Sequence, residues 1–143
     1  MKKILVIGKN GFISLNLIKF LRKKKIIFSA INFENFLKKK HQFYIKFNVI
    51  INCSSNVNFI KKRYNSVNDN DLIIAKKISN LKIKLITLSS RKVYKAKKNI
   101  KETDTIKPSC NYSKNKLISE IAVQKILKDK SLILRIANLI GIP

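Results

Sequence analysis

Two residues of this chain have the types and the spacing of an acid/base pair: Tyr112 and Lys116, in the run Tyr-Ser-Lys-Asn-Lys. They open a segment whose apolar positions recur at helical spacing, so residues four apart fall on one helix face. A phenol is a poor base near neutrality, because its ordinary pKa is about 10. A fixed ammonium a few ångströms away favours the phenolate and makes a tyrosine a workable acid/base. Ser89 and Ser90 follow the apolar run of residues 84–88, which reads as a buried strand. A hydroxyl at that strand end can hold the oxygen of a carbonyl or an alcohol. Taken alone, Tyr-x-x-x-Lys is also an ordinary solvated helix face, so the elements that would position the pair decide its meaning.

Those elements begin at the first residues. Lys3-Ile4-Leu5-Val6-Ile7 is a short, β-branched apolar run, the pattern of a strand buried on both faces. It ends in Gly8-Lys9-Asn10-Gly11-Phe12-Ile13-Ser14, and apolar residues then recur at helical spacing through Leu17, Ile18 and Leu21. A strand, a glycine turn and a helix in that order form the context in which a glycine fingerprint carries meaning. Gly8 permits the tight turn and Gly11 lets the backbone approach a pyrophosphate, which the helix N-terminus would face with unpaired N–H groups and a favourable dipole. A plain strand-to-helix turn is the alternative on this segment alone.

Residues 26–31 read as a second strand, ending at Asn32. In a dinucleotide fold an acid usually stands there to hold the adenosine ribose. Asn32 lacks that charge, and Glu34 lies two residues on, which tilts the expectation slightly towards NADP and leaves NAD open. Phe36, Leu37, Tyr44 and Phe47 predict one amphipathic helix around Lys38-Lys39-Lys40, with His41 on its solvated side. Residues 49–53 form a third strand, closed by Ser54-Ser55, small polar residues suited to a ligand crossing the sheet edge. Residues 56–70 are polar and loop-like, and a helix with Leu72, Ile73, Ala75 and Ile78 on its apolar face follows. The fourth strand covers residues 83–88. A long connection over residues 89–109 precedes a helix over residues 110–128, with Leu117, Ile118, Ile121, Ala122 and Ile126 on its apolar side. Residues 131–136 make a fifth strand. The alternation predicts an α/β fold: a doubly wound parallel sheet of about five strands with helices on both faces.

Composition narrows the function classes. The chain has 143 residues, enough for one domain with a real core, and 45% of them are hydrophobic. No apolar run approaches the roughly 20 residues of a membrane helix. The opening Met-Lys-Lys resembles a signal peptide, but the apolar run behind it is short and broken by Gly8. The expectation is a cytoplasmic protein without a membrane partner. Cys53, Cys110 and His41 make neither a metal-ligand spacing nor a disulfide framework, so no metal is expected. Thirty-two basic residues stand against seven acidic, a formal charge of +25. Nearly all of the excess is Lys rather than Arg and is spread over every expected surface, accompanied by abundant Ile and Asn. Such a spread fits compositional bias and non-specific attraction to polyanions, and no specific nucleic-acid partner is expected. A basic polyanion-binding protein remains the less favoured reading.

Six stretches in order resemble the extended short-chain dehydrogenase/reductase superfamily, and within it the NAD(P)-dependent sugar-nucleotide epimerases, dehydratases and dTDP-dehydrorhamnose reductases. They are Gly8-x-x-Gly11-Phe12-Ile13, Val49-Ile50-Ile51-Asn52-Cys53-Ser54-Ser55, Asn68, Ser89-Ser90-x-x-Val93-Tyr94, Tyr112-x-x-x-Lys116 and Leu134-Arg135-Ile136-x-Asn138-x-x-Gly141. The resemblance implies a Rossmann-like NAD(P)-binding domain over residues 1–143, with NAD or NADP held by Gly8, Asn10, Gly11, Phe12, Ile13, Asn32, Cys53, Ser54, Ser55, Tyr112 and Lys116. It implies Tyr112 as general acid/base and Lys116 as ligand of the nicotinamide ribose that lowers the Tyr112 pKa. Ser90, rather than Ser89, would bond the substrate oxygen, and Asn68 would complete the catalytic set. The implied partner is a nucleotide-sugar, with a homodimer possible. Departures accompany it. Ser14 replaces the third fingerprint glycine, Asn32 replaces the acid, and the stretch from Asn32 to Asn48 is too short for a further edge strand and helix. The substrate-binding part that family members carry beyond this point is expected to be absent, which leaves an inactive NAD(P)-binding module as the alternative to an enzyme.

Overall fold

The computed structural model describes residues 3–140; Met1, Lys2 and residues 141–143, among them the Gly141 that ends the sixth matching stretch, lie outside the described residues. Short apolar runs form the strands, richest in β-branched residues at Ile4–Ile7 and Val49–Asn52, because such residues pack well on a pleated surface. These are β1 (Ile4–Ile7), β2 (Phe28–Ile31), β3 (Val49–Asn52), β4 (Lys84–Ser90) and β5 (Ser131–Ile136). All neighbours pair in parallel, in the order β2-β1-β3-β4-β5. Between them lie α1 (Phe12–Lys23), α2 (Phe33–Leu37), α3 (His41–Tyr44), α4 (Val57–Lys61), α5 (Asn70–Ile78) and α6 (Asn111–Leu127). The sheet is thus a doubly wound, Rossmann-like α/β fold of five strands. Leu5 and Ile7 of β1, Ile50 of β3 and Leu85 of β4 are fully buried in one cluster with Phe36, Ile74, Ile78, Val123 and Leu127. Among the described residues no helix is long and apolar enough to cross a membrane.

Three expectations are corrected. The single helix expected around the lysine run is two short helices, α2 and α3. Tyr44 folds the second back onto the first: its ring lies 4.9 Å from that of Phe36. Its hydroxyl donates to the Phe36 carbonyl oxygen at 2.7 Å and to that of Lys39 at 3.0 Å, across a break where Lys40 is extended. His41 is exposed, as expected. No strand forms between Asn32 and Asn48.

The polar stretch of residues 56–70 is not all loop. Asn56 caps α4 by accepting from the Asn58 N–H at 2.8 Å, and Phe59 is buried. Asn115 of α6 holds the C-terminal end of α4, donating to the carbonyl oxygens of Phe59 and Lys62 at 2.7 and 2.8 Å. Local polarity hid a helix that tertiary bonds complete.

The most consequential difference concerns α6. Its buried positions are Ser113, Asn115, Lys116, Ser119, Glu120, Val123 and Leu127, whereas Ile118 and Ile121 are exposed. The helix turns a polar face inward at the C-terminal end of the sheet. Burial of that kind is tolerated only where each group has partners, and those partners define the site.

Candidate functional site

The chain runs outward from β1 through α1 to β2, then passes back across β1 through α2 and α3 to β3, so the strand order reverses at β1. Ligands of open α/β sheets bind in the crevice that such a reversal leaves beyond the strand ends. Here a cleft of about 630 Å³ occupies that place, lined by Gly8, Asn10, Gly11, Asn32, Phe33, Glu34, Cys53, Ser54, Ser55, Asn56, Val57, Asn58 and Asn70.

The turn after β1 is built for close approach. Gly8 has φ +94°, a conformation that L side chains rarely adopt, and a Cβ on it would stand 2.8 Å from the Ser54 backbone nitrogen. Its own N–H donates to the Ile31 carbonyl oxygen at 2.9 Å, while the Cys53 N–H donates to that of Ile7 at 2.9 Å. The turn is thereby clamped between the ends of β2 and β3. Gly11 caps α1 without a side-chain bond, so no side chain covers the first-turn amides. Ser14, at the third glycine position, is fully buried with its hydroxyl between the carbonyl oxygens of Gly8 and Gly11, 2.8 Å from the latter. Ser14 thereby ties the first turn of α1 to the turn after β1.

Seven of the cofactor positions expected from sequence therefore meet in one cleft: Gly8, Asn10, Gly11, Asn32, Cys53, Ser54 and Ser55. Phe12 and Ile13 do not line it; Phe12 lies in the first turn of α1 and is exposed, and Ile13 is half-buried. Glu34, in the first turn of α2, does face it, so an acid is available beside Asn32. Burial, and secondarily the Asp71 charge, push the Cys53 thiol up to about 11, which makes it an inert wall of the cleft.

Lys116 and Asn68 lie next door. A small cavity bounded by Ser54, Ser55, Asn56, Phe59, Asn68, Asp69, Asn70, Asp71 and Lys116 shares four of its residues with the cleft. The Lys116 ammonium is buried. It donates to the Leu88 carbonyl oxygen at 2.8 Å, lies 3.6 Å from Asp71 Oδ2 and sits 5.3 Å from the centre of the Phe59 ring. Its bonds go to β4 and α5 rather than to Tyr112, which is half-buried one turn earlier on α6. Asp69 caps α5 through the Leu72 N–H at 3.1 Å and also accepts from Tyr64 and Ser119, at 2.9 Å each.

The two serines separate cleanly. Ser89 donates its hydroxyl proton to Glu120, which in turn holds Arg135 in a forked pair with a closest approach of 2.6 Å. Arg135 lies 4.7 Å from the centre of the Tyr94 ring, so this cluster fastens α6 to β4 and β5. Ser90 accepts from the Lys92 N–H at 3.2 Å, a bond that uses a lone pair and leaves its O–H to give to a ligand. Ser90 and Tyr112 line neither the cleft nor the small cavity.

Sequence reasoning missed Asn70 and Asp71. Asn70 donates to the Ser54 hydroxyl oxygen at 2.9 Å, and Asp71 Oδ1 accepts from Asn52 at 2.7 Å. The signal was an acid two residues after an N-cap acid, which reads from sequence as a second charge favouring the helix dipole. Among the described residues no group of three or more His, Cys, Asp or Glu side chains is placed to hold a metal ion.

The profile of a family described as the RmlD substrate binding domain matches residues 1–142. No curated protein matches. Among solved structures, a dTDP-4-dehydrorhamnose reductase from Clostridium acetobutylicum has a TM-score of 0.74 at 23% identity over 93% of this chain and 52% of its own. A dTDP-glucose 4,6-dehydratase from Bacillus anthracis, in complex with NAD, has 0.71 at 20% identity over 94% of this chain and 54% of its own. A UDP-glucuronic acid 4-epimerase from Bacillus cereus, also in complex with NAD, has 0.71 at 18% identity over 94% and 56%. The chain spans about half the length of these structures, and at such identities the likeness establishes the fold.

Proposed function

The chain belongs to the RmlD substrate binding domain family, and on that premise we propose that it binds NAD or NADP in the cleft and acts on a nucleotide-sugar with Tyr112 as acid/base. The observation that carries the proposal is the convergence of Gly8, Asn10, Gly11, Asn32, Cys53, Ser54 and Ser55 on one crevice at the point where the strand order reverses. The residues present fit a dinucleotide. The turn leaves no room for a side chain at Gly8, and the uncapped start of α1 suits a pyrophosphate. When bound, the nicotinamide supplies hydride exchange with a sugar carbon. The chain's own residues bind and orient. Asn32 and Glu34 stand where adenosine ribose hydroxyls would be met, and Ser54 and Ser55 floor the cleft. Lys116 and Asn68 reach the small cavity beyond it. Ser90 donates to the substrate oxygen and Tyr112 exchanges the proton there. Activity on the sugar would draw on groups beyond those described, because relatives of this fold are about twice as long.

The test is turnover of a panel of sugar nucleotides with each dinucleotide. Activity should fall by at least about 100-fold in Tyr112→Phe, in line with the usual worth of a positioned acid/base. Turnover unaffected by that change would remove Tyr112 from the chemistry. A chain that binds dinucleotide yet turns over no sugar nucleotide would be a cofactor-binding module.

A further inference from the structure

Asp71 sits at the N-terminal end of α5 and is buried, in a helix that already has Asp69 as its cap. It is therefore not needed to satisfy the helix start. Each of its oxygens is used. Oδ1 accepts from Asn52 Nδ2 at 2.7 Å, and Oδ2 faces the Lys116 ammonium at 3.6 Å. Asn52 is itself buried, and its Oδ1 accepts from both the backbone N–H and the hydroxyl of Ser54, at 2.9 and 2.6 Å. Ser54 lines the dinucleotide cleft. A continuous chain of polar contacts thus runs from the cleft through Ser54, Asn52 and Asp71 to Lys116. Burial pushes the Asp71 carboxyl up, opposed by Lys116 and by the Asn52 hydrogen bond. A buried acid in that state is costly unless its partners hold it, and here the partners are the lysine assigned to the ligand and a residue that bonds the cleft floor.

We propose that Asp71 is a positioning residue for Lys116, a counter-ion that, with the Leu88 carbonyl, holds the ammonium at the small cavity so that it meets a ligand hydroxyl already oriented. An ammonium has three donors. Leu88 takes one, Asp71 fixes the charge from the α5 side, and the geometry keeps the remainder for the cavity that Asn68, Ser54 and Ser55 also line. Without Asp71 the four-carbon stem of Lys116 keeps the Leu88 bond and the face of the Phe59 ring but loses its one charged partner, and the ordering this gives up must be repaid when ligand binds. The inference rests on the dinucleotide assignment made above.

The experiment is a double-mutant cycle on NADH and NADPH affinity, read by equilibrium fluorescence titration. It uses the wild type, Asp71→Asn, Lys116→Met and the double variant, with Asp71→Ser as a second replacement should the Asn variant unfold. Circular dichroism confirms that each variant is folded at the titration temperature. Asp71→Asn should weaken binding roughly ten-fold, and it should add nothing in the Lys116→Met background, because contacting residues couple. A purely structural role for Asp71 would leave affinity within about two-fold, or would make the two losses multiply; either result overturns the inference while leaving the cleft assignment intact. A wild type that binds neither dinucleotide overturns the cleft assignment and the inference with it.

Discussion

Substituting the two glycines of the first turn should separate folding from binding. Gly8 has φ +94°, and an added Cβ would meet the Ser54 nitrogen at 2.8 Å and the Cys53 carbonyl carbon and Ser54 Cα at 3.0 Å. All three are backbone atoms of the segment following β3, so none can swing aside. The strained backbone costs about 1–2 kcal/mol, and forcing β1 and β3 apart adds about 1–3 kcal/mol, as overpacking does. Gly8→Ala should therefore lose on the order of 2–5 kcal/mol, which for a domain of this size lowers Tm by roughly 10 °C. Gly11 differs. Its φ is −79°, an ordinary value, and an added Cβ would have only van der Waals contacts, at 3.5 Å from the Gly8 carbonyl oxygen and the Ser14 hydroxyl. Gly11→Ala should change stability by no more than about 0.5–1 kcal/mol, yet weaken dinucleotide binding by putting a methyl where a pyrophosphate meets the backbone. Thermal melts and dinucleotide titrations on the pair provide the assay. Equal stabilities for the two variants would refute the steric reasoning. A Gly11→Ala variant that binds as tightly as the wild type would refute the role given to that turn.

The thiols should react very differently. Cys110 is exposed and its pKa is lowered, chiefly by Ser113 bonds and with help from Lys92, whereas burial pushes the Cys53 thiol up to about 11. Iodoacetamide labelling at pH 8, followed by mass spectrometry, should modify Cys110 first, with Cys53 slower by about two orders of magnitude or more; comparable rates would contradict the burial of Cys53. The Asp71 carboxyl, raised by burial against the opposing pull of Lys116 and with a small push from Asp69, binds a proton more readily folded than unfolded. Its contribution is thus greatest below the unfolded carboxyl pKa of about 4 and declines as pH rises through the raised folded value. Denaturant unfolding should show the wild type losing stability relative to Asp71→Asn as pH rises from about 4 towards neutrality; a flat difference would mean the group is not perturbed.

The centre of the sheet was legible in the sequence because β1 and β3 are short, β-branched and largely buried, a pattern that needs no tertiary information, and the half-buried edge strands β2 and β5 follow from the alternation with helices. The cleft was legible for a related reason: Gly8 and Gly11 announce a turn by their lack of side chains, and Ser54-Ser55 interrupt an apolar run. What was hidden depended on partners distant in the chain. Tyr44 breaks the expected helix by bonding backwards to Phe36. The inward face of α6 could not be read from apolar spacing, because its buried Lys116, Ser119 and Glu120 are satisfied by Leu88, Asp69 and Arg135, 15 to 50 residues away. Asp71 was hidden in the same way: nothing local distinguishes it from a surface acid at a helix start. The i, i+4 spacing did place Tyr112 and Lys116 on one helix, but the direction of the lysine is set by β4 and α5.

A +25 chain can attract a dinucleotide anywhere on its surface, so the decisive measurement is where NAD or NADP binds. Backbone amide chemical shifts, followed by NMR through a titration with each at moderate salt, give that location directly. Saturable changes centred on Gly8, Asn10, Gly11, Asn32, Cys53, Ser54 and Ser55, extending to Lys116, are the predicted result. Shifts scattered over the lysine-rich surface that vanish as salt is raised, or none at the first turn, would contradict a dinucleotide site in this cleft.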